Sequence, residues 1–120
     1  MNGTAGLIAM PMLTYEVAAA PFPYTSRPVT AHRPCLIIAR PETDAGLAWV
    51  MMITSSENAP LPGDVMIDDL ASAGLNSPSI VRTSKITTLE LGTLRIIGSI
   101  TDICAERISA AVHGHMSHRG

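Results

Sequence analysis

Short apolar runs, each closed by a proline, a glycine or a polar turn, recur along the chain and predict strands rather than helices. Leu36-Ile37-Ile38 lies in the strongest of them, Cys35–Arg40. Pro34 stands at the first position of that run, where a missing N–H breaks no ladder bond, and it holds Arg33 extended. A polar turn, Pro41–Gly46, then leads into a second strong run, Leu47–Thr54, and the two make a hairpin. Before them, Tyr15–Ala20 is a weaker strand. Pro21, Pro23 and Pro28 make the following stretch a stiff extended loop.

Downstream, Ser55–Pro62 is a polar loop and Asp64–Asp68 alternates like a short half-buried strand. Asp68–Gly74 reads as one helical turn, capped by Asp and ended by Gly. Ser79–Ile86 alternates strictly, with Ile80, Arg82 and Ser84 opposed to Val81, Thr83 and Lys85. Thr87–Glu90 reads as a turn. Leu94–Ile100 is a last strand in which Gly98 permits a bulge or a close approach. Thr101 caps a helix expected to run to about Val112, with Ile103, Cys104, Ile108, Ala111 and Val112 on its apolar face.

These elements predict a mainly β chain with some α (α+β): a small, strongly bent sheet or half-barrel, a short helical turn and a C-terminal helix. Residues 1–112 are expected to form a single domain, although 1–13 show no pattern. Residues 113–120, rich in His and Gly, read as a disordered tail.

Composition narrows the function. The chain has 120 residues, 47% of them hydrophobic, enough for a core without metals or disulfides. Its formal charge of −2 is not the global field of a typical nucleic-acid binder, so any RNA site must be a local basic patch. Cys35 and Cys104 lie on apolar faces and are expected as two buried, reduced thiols of a cytoplasmic protein. No basic leader or long apolar stretch suggests a signal peptide or membrane span. No H-x-E…C-x-x-C pattern and no paired helical carboxylates suggest a metal, and no cofactor is expected. Asp64, Asp68 and Asp69 sit at a turn and a helix start, where capping is the favoured role.

Four blocks resemble the MazF/PemK/Kid family of bacterial toxin endoribonucleases. Ala20-Pro21-Phe22-Pro23-Tyr24-Thr25 is similar to the family's "PFPFT" strand exit. His32-Arg33-Pro34-Cys35-Leu36-Ile37-Ile38 resembles its "RRPALVL" block, and Met52-Ile53-Thr54-Ser55 its "PITS" strand end. Ser77–Leu89 resembles the "SVVRPSKIRTLD" stretch of the PemK branch. The resemblance spans about residues 15–112. It implies a compact SH3-like or CcdB-like β-barrel, a homodimer, and an antitoxin partner that blocks the site. It also implies metal-independent, sequence-selective cleavage of single-stranded RNA in the bacterial cytoplasm. Two positions depart from it. The Thr25–Arg33 segment carries no acidic residue where some MazF members have a glutamate. Ser84 stands where the Kid branch has an aspartate.

Metal-free RNA cleavage needs a base for the ribose 2′-OH, charge stabilisation on the phosphorane and an acid for the leaving 5′-oxygen. Arg33 is the candidate for charge stabilisation, since its guanidinium stays protonated and offers paired donors. Thr54 and Ser55, at a strand end, can hold a phosphate oxygen or a 2′-OH. His32, whose imidazole nitrogens can both accept and donate a proton, is the candidate base in place of the missing carboxylate. Arg82 with Ser84, and more weakly Lys85, are candidates for RNA binding. Tyr24 and Arg27 could add a stacking and phosphate rim, with Phe22 more suited to the core. Each has a plainer reading beside it: a surface ion pair for Arg33, turn capping for Thr54 and Ser55, a solvated loop residue for His32. Two alternatives stay open, a non-enzymatic CcdB-like inhibitor of DNA gyrase and a degenerate member that binds antitoxin or RNA without cutting. An apolar edge including Met51, Met52 and the terminal helix would serve a dimer.

Overall fold

In the computed structural model, residues 14–23, 30–41 and 46–119 are described. The strands are β1 (Glu16–Pro23), β2 (Thr30–Ala39), β3 (Leu47–Ser55), β4 (Asp64–Met66), β5 (Ser79–Glu90) and β6 (Arg95–Ser99). A 3₁₀ turn, Leu91–Thr93, precedes β6, and the helix α1 (Asp102–Arg119) follows it. The strands form one six-stranded sheet in the order β4-β5-β3-β2-β1-β6, every neighbouring pair antiparallel. The α+β class and the β2–β3 hairpin pairing are as the sequence predicts. The ladder is open among the described residues, with β4 and β6 as its edges, in keeping with the bent sheet or half-barrel read from the pattern rather than with closure of the SH3-like or CcdB-like barrel that the resemblance implies.

Period-two alternation divides the buried residues between two faces. Val17, Leu36, Met51, Ile53 and Val81 pack on one, under Cys104, Ala105 and Ile108 of α1. Ala18, Ala20, Cys35, Ile37, Ala48 and Val50 pack on the other, with Leu89, Leu91 and Leu94 against them. Cys35 and Cys104 are both buried and neither is in a disulfide. Met51 is core within the chain, so the expected Met51–Met52 edge reduces to Met52.

Several element ends differ from expectation, each because of pairing that local pattern cannot register. β1 continues through Pro21 to Pro23 and β2 begins at Thr30, because Pro23↔Thr30 through Val17↔Leu36 form one unbroken ladder. Pro34 therefore lies inside β2 rather than at its start. It is tolerated because pairing with β3 starts only at Cys35, leaving no ladder on that side for a missing N–H to break. β5 runs on through Thr87–Glu90, which pair with Leu47–Val50 instead of turning. Its expected alternation fails: Met51 pairs with Ile86 but Ile53 with Val81, so residues 82–85 bulge out of register. Ile80, Val81 and Thr83 are buried and residues 84–88 are exposed.

The Asp68–Gly74 segment is a capped turn. Asp69 accepts the Ser72 N–H at 3.1 Å, and the N–H groups of Gly74 and Leu75 donate to Ala71 and Leu70 carbonyls at 3.1 and 2.9 Å. Gly74, at φ +75°, closes this Schellman-type end. Gly98 makes the close approach its type permits: a Cβ there would stand 2.3 Å from the Ser72 carbonyl oxygen. The Ser99 N–H donates to that same oxygen at 2.9 Å, so turn and strand are in backbone contact.

Thr101 caps α1 by accepting the Cys104 N–H at 3.1 Å while donating to Asp68. Cys104, Ala105, Ile108, Ala111 and Val112 form the stripe on the core, and Ile103, expected there, is exposed. The helix continues to Arg119, past Val112, so residues 113–119, expected as a tail, are its last turns. Gly114 in the interior costs ~1 kcal/mol. Packing of Ala111 and Val112 and a 3.1 Å hydrogen bond between His115 Nε2 and Thr83 Oγ1 offset it. No helix among the described residues is long and apolar enough to cross a membrane.

Replacing Gly98 by alanine should destabilise the protein by about 1–3 kcal/mol, because backbone, not a flexible side chain, must yield. Gly92→Ala, with no heavy atom within 4 Å of its Cβ position, should stay within about 0.5 kcal/mol. Urea unfolding midpoints of the two variants test the contrast.

Candidate functional site

The β2–β3 ladder pairs Cys35 with Met52, and two residues further along the same register Arg33 comes abreast of Thr54. Here the strands run past their shared hydrogen bonds and a cleft of about 300 Å³ opens across their ends. Arg33, Pro34, Ile53, Thr54 and Ser55 line it from the strands. Asn58 lines it from the loop after β3; Leu75, Asn76, Ser77 and Ser79 do so from the turn before β5. Pro34 and Ile53 supply apolar surface, and Arg33 is the charged residue among these lining side chains.

Backbone and side-chain hydrogen bonds shape the loop side. The Ser55 hydroxyl accepts the Glu57 N–H at 3.1 Å, and the Ser55 carbonyl accepts the Asn58 N–H at 3.1 Å. The Asn58 amide nitrogen then donates to Thr54 Oγ1 at 2.6 Å. Across the cleft, the Ser56 N–H donates to the Pro78 carbonyl at 3.1 Å and the Ser79 hydroxyl to the Ser77 carbonyl at 2.8 Å. A cation and several hydroxyl and amide groups thus converge on one concave site, a donor-rich setting for an anionic, hydrogen-bonding ligand.

Three of the four expected catalytic residues, Arg33, Thr54 and Ser55, are brought together. His32 is exposed beside Arg33, on the opposite side of β2 by strand alternation, and is not among the lining residues. It is not the sole ordered histidine, since His113 and His115 belong to α1. Arg82 is elsewhere. Its guanidinium is paired with Asp64 at 3.2 and 3.0 Å and donates to the Ala59 carbonyl at 2.9 Å. It therefore braces the loop instead of offering its charge to the cleft. Ser84 and Lys85 are exposed on the bulged part of β5 and do not line the cleft. Tyr24 and Arg27 lie outside the described residues, and of Phe22 only its place in β1 is described.

Asn58, Asn76 and Ser77 were not singled out from the sequence. A polar loop directly after an apolar strand, and an Asn-Ser-Pro turn directly before the next, are the signals that could have marked them. The aspartates behave as caps: Asp64 accepts the Leu61 N–H at 2.8 Å, Asp69 caps its own turn, and Asp68 meets Thr101. No metal-ligating cluster occurs among the described residues.

A profile of the PemK-like, MazF-like toxins of type II toxin–antitoxin systems matches residues 14–115. Among solved structures, Mycobacterium tuberculosis toxin MazF-mt6 is similar at 24% identity and TM-score 0.65, over 85% of this chain and 96% of that one. A mycobacterial endoribonuclease in complex with its cognate antitoxin is similar at 18% identity and TM-score 0.67, over 88% and 94%. A MazE–MazF complex from Deinococcus radiodurans is similar at 14% identity and TM-score 0.61, over 89% and 95%. At such identities these structures speak for a shared fold. No curated protein sequence matches significantly.

The Asp64–Arg82 pair has a pH signature. Burial pushes the Asp64 carboxyl up. The Arg82 hydrogen bond, the Leu61 N–H and the Arg82 charge together outweigh it and hold the carboxyl below the usual carboxylate range. A depressed folded-state pKa contributes stability above the unfolded value near 3.9, which fades as pH falls through the folded one. Asp64→Asn should therefore cost about 1–3 kcal/mol at neutral pH. The gap from the wild type should close as pH falls below about 4. Denaturant titrations of both proteins across that range check the sign.

Proposed function

Because the chain belongs to the PemK-like, MazF-like toxins of type II toxin–antitoxin systems, we propose that it is a metal-independent endoribonuclease that cuts single-stranded RNA. The observation that carries this reading is the convergence of Arg33, Thr54 and Ser55 on one cleft. In transesterification the ribose 2′-oxygen attacks the adjacent phosphorus while its proton passes to a base. The P–O5′ bond then breaks as the leaving oxygen takes a proton, giving a 2′,3′-cyclic phosphate and a 5′-hydroxyl. Arg33 stabilises the extra negative charge of the phosphorane with fixed, permanently charged donors. Thr54 and Ser55 hold non-bridging oxygens.

No carboxylate lines the cleft among the described residues, so the base is sought elsewhere. His32, the candidate from the sequence, lies on the face of β2 opposite Arg33 and outside the cleft, so no described residue is assigned as the base. Asn58, Asn76 and Ser77 offer amide and hydroxyl groups that suit reading the edges of unstacked bases. Selectivity is thus assigned to the loop after β3 and the turn before β5. A cognate antitoxin that covers the cleft, a homodimer, a cytoplasmic setting and a single domain complete the proposal. Complexes with antitoxin among the similar structures support the antitoxin.

The test is cleavage of a long single-stranded RNA by purified, antitoxin-free protein in EDTA, beside Arg33→Ala. Discrete fragments with 5′-hydroxyl and 2′,3′-cyclic phosphate ends are expected. The variant should lose about 10²–10³-fold in rate, as for removal of a preorganised charge-stabilising donor. Absence of fragments from the unaltered protein at micromolar concentration would overturn the enzymatic reading and turn attention to binding of gyrase or of RNA alone.

A further inference from the structure

We propose that Asn58 is a positioning residue that makes the Thr54 hydroxyl a hydrogen-bond donor toward an RNA phosphate oxygen in the cleft; this rests on the RNA-cleaving reading above. A threonine hydroxyl carries one hydrogen and two lone pairs, and its rotor is unbiased until a neighbour fixes it. The Asn58 amide nitrogen lies 2.6 Å from Thr54 Oγ1 and is itself a donor, so it occupies a lone pair and cannot take the hydroxyl hydrogen. Arg33, which shares the cleft, has donors and no acceptor. Neither of these two neighbours takes the Thr54 hydrogen, which can therefore be given to an acceptor that the occupant of the cleft brings. A phosphate oxygen is such an acceptor, and a donor held in place before the ligand arrives needs no reorganisation when charge develops.

Asn58 is held from both sides of the loop. On one side, the Asn58 and Glu57 N–H groups both donate to Ser55, each at 3.1 Å. On the other, the Ala59 carbonyl accepts from Arg82 at 2.9 Å, and Arg82 is anchored on Asp64. The same carboxylate takes the Leu61 N–H at 2.8 Å. One ion pair between β4 and β5 therefore fixes residues 59–61, and the turn after β3 fixes 57–58. This gives Arg82 a role at the site without contact to the ligand: it secures the loop that aims the amide.

The decisive substitution is Asn58→Asp, nearly isosteric but reversed in polarity. An ionised Asp accepts, so it would draw the Thr54 hydrogen away from the ligand. When protonated it can donate again. Single-turnover cleavage of an RNA oligonucleotide by Asn58→Asp should fall roughly tenfold to a hundredfold at pH 7.5, as for one lost hydrogen bond to a charged group. The ratio of variant to wild-type rate should then rise as pH falls toward about 4, the titration range of an aspartate. Asn58→Ala should lose less than Asn58→Asp. In a Thr54→Val background both substitutions at 58 should change the rate less than about twofold, since the hydroxyl they act through is gone.

Unfolding midpoints identify any variant that acts through the fold. Affinity for a 2′-O-methyl RNA oligonucleotide, which cannot supply the nucleophile, reads the same contact without cleavage. If the wild type binds but does not cut, a Thr54-dependent loss of affinity in Asn58→Asp would sustain the proposal while the enzymatic reading fails. Wild-type behaviour of Asn58→Asp at neutral pH would overturn it, because the amide would then be accepting from Thr54. An equal loss in the Thr54→Val background would overturn it too, as plain repulsion of RNA by the added charge. A protein that neither cuts nor binds RNA would sink both readings.

Discussion

The antiparallel pairing of β2 with β3 is the constraint on which the rest depends. It buries Leu36 and Ile37 against Met51 and Val50, one pair to each face of the sheet. The same register, carried past the last paired residues, brings a guanidinium and a hydroxyl to one place. A slip of one residue would exchange the faces of every side chain on the strand, losing the core and the cleft together. Stability and site geometry are thus held by one interaction. Pro34 ties them more closely, since it lies one step beyond the last β2–β3 pair and keeps the backbone of Arg33 extended.

The remaining wall of the cleft is built from loops, and loops need bracing to hold a geometry. Two braces are visible. The turn at residues 69–75 is pressed on β6 at Gly98, where backbone meets backbone, and it delivers Leu75 and Asn76 to the cleft. The loop after β3 is secured by the Asp64–Arg82 pair, whose side chains are only 10% and 15% exposed. Partial burial makes this pair geometrically defined where a surface pair would not be, and it engages Ala59 and Leu61 as well as its own partner. Polar groups far from any ligand therefore set the shape that a ligand would meet.

Strand cores were legible in the sequence because alternation and β-branching are local signals. Cys35–Ala39, Leu47–Thr54 and the Thr101 cap lie where the pattern puts them. What local pattern could not carry was partnership. Thr87–Glu90 reads as a turn until Leu47–Val50 pair with it, and β2 reads as starting at Pro34 until β1 pairs with it back to Thr30. Arg82 shows the same gap in the site. Its alternation on β5 and its place in a family-like block both pointed to RNA, but a bulge breaks the alternation and Asp64, 18 residues earlier in sequence, takes the charge. Thr54 and Ser55 were legible because they end a strong strand, and Arg33 because it directly precedes the apolar run of another. Asn58 was not, because its role comes from a contact inside a loop whose shape depends on Arg82.

Charge and geometry combine into one constraint on recognition. A net charge of −2 gives no overall attraction for RNA, and among the described residues the cleft is lined by one cation and uncharged groups. Counterion release scales with the number of phosphates neutralised, so a site built on a single guanidinium draws little affinity from that source. Under the RNA-cleaving proposal, discrimination would then come from short-range donors: hydroxyls at a strand end and amides on braced loops. Such donors reward a strand only when its phosphate and base edges fall into register with them, and they offer little to a duplex whose bases are stacked and paired. The weak global charge therefore fits a site that selects by geometry at a few nucleotides rather than by attraction along the whole chain.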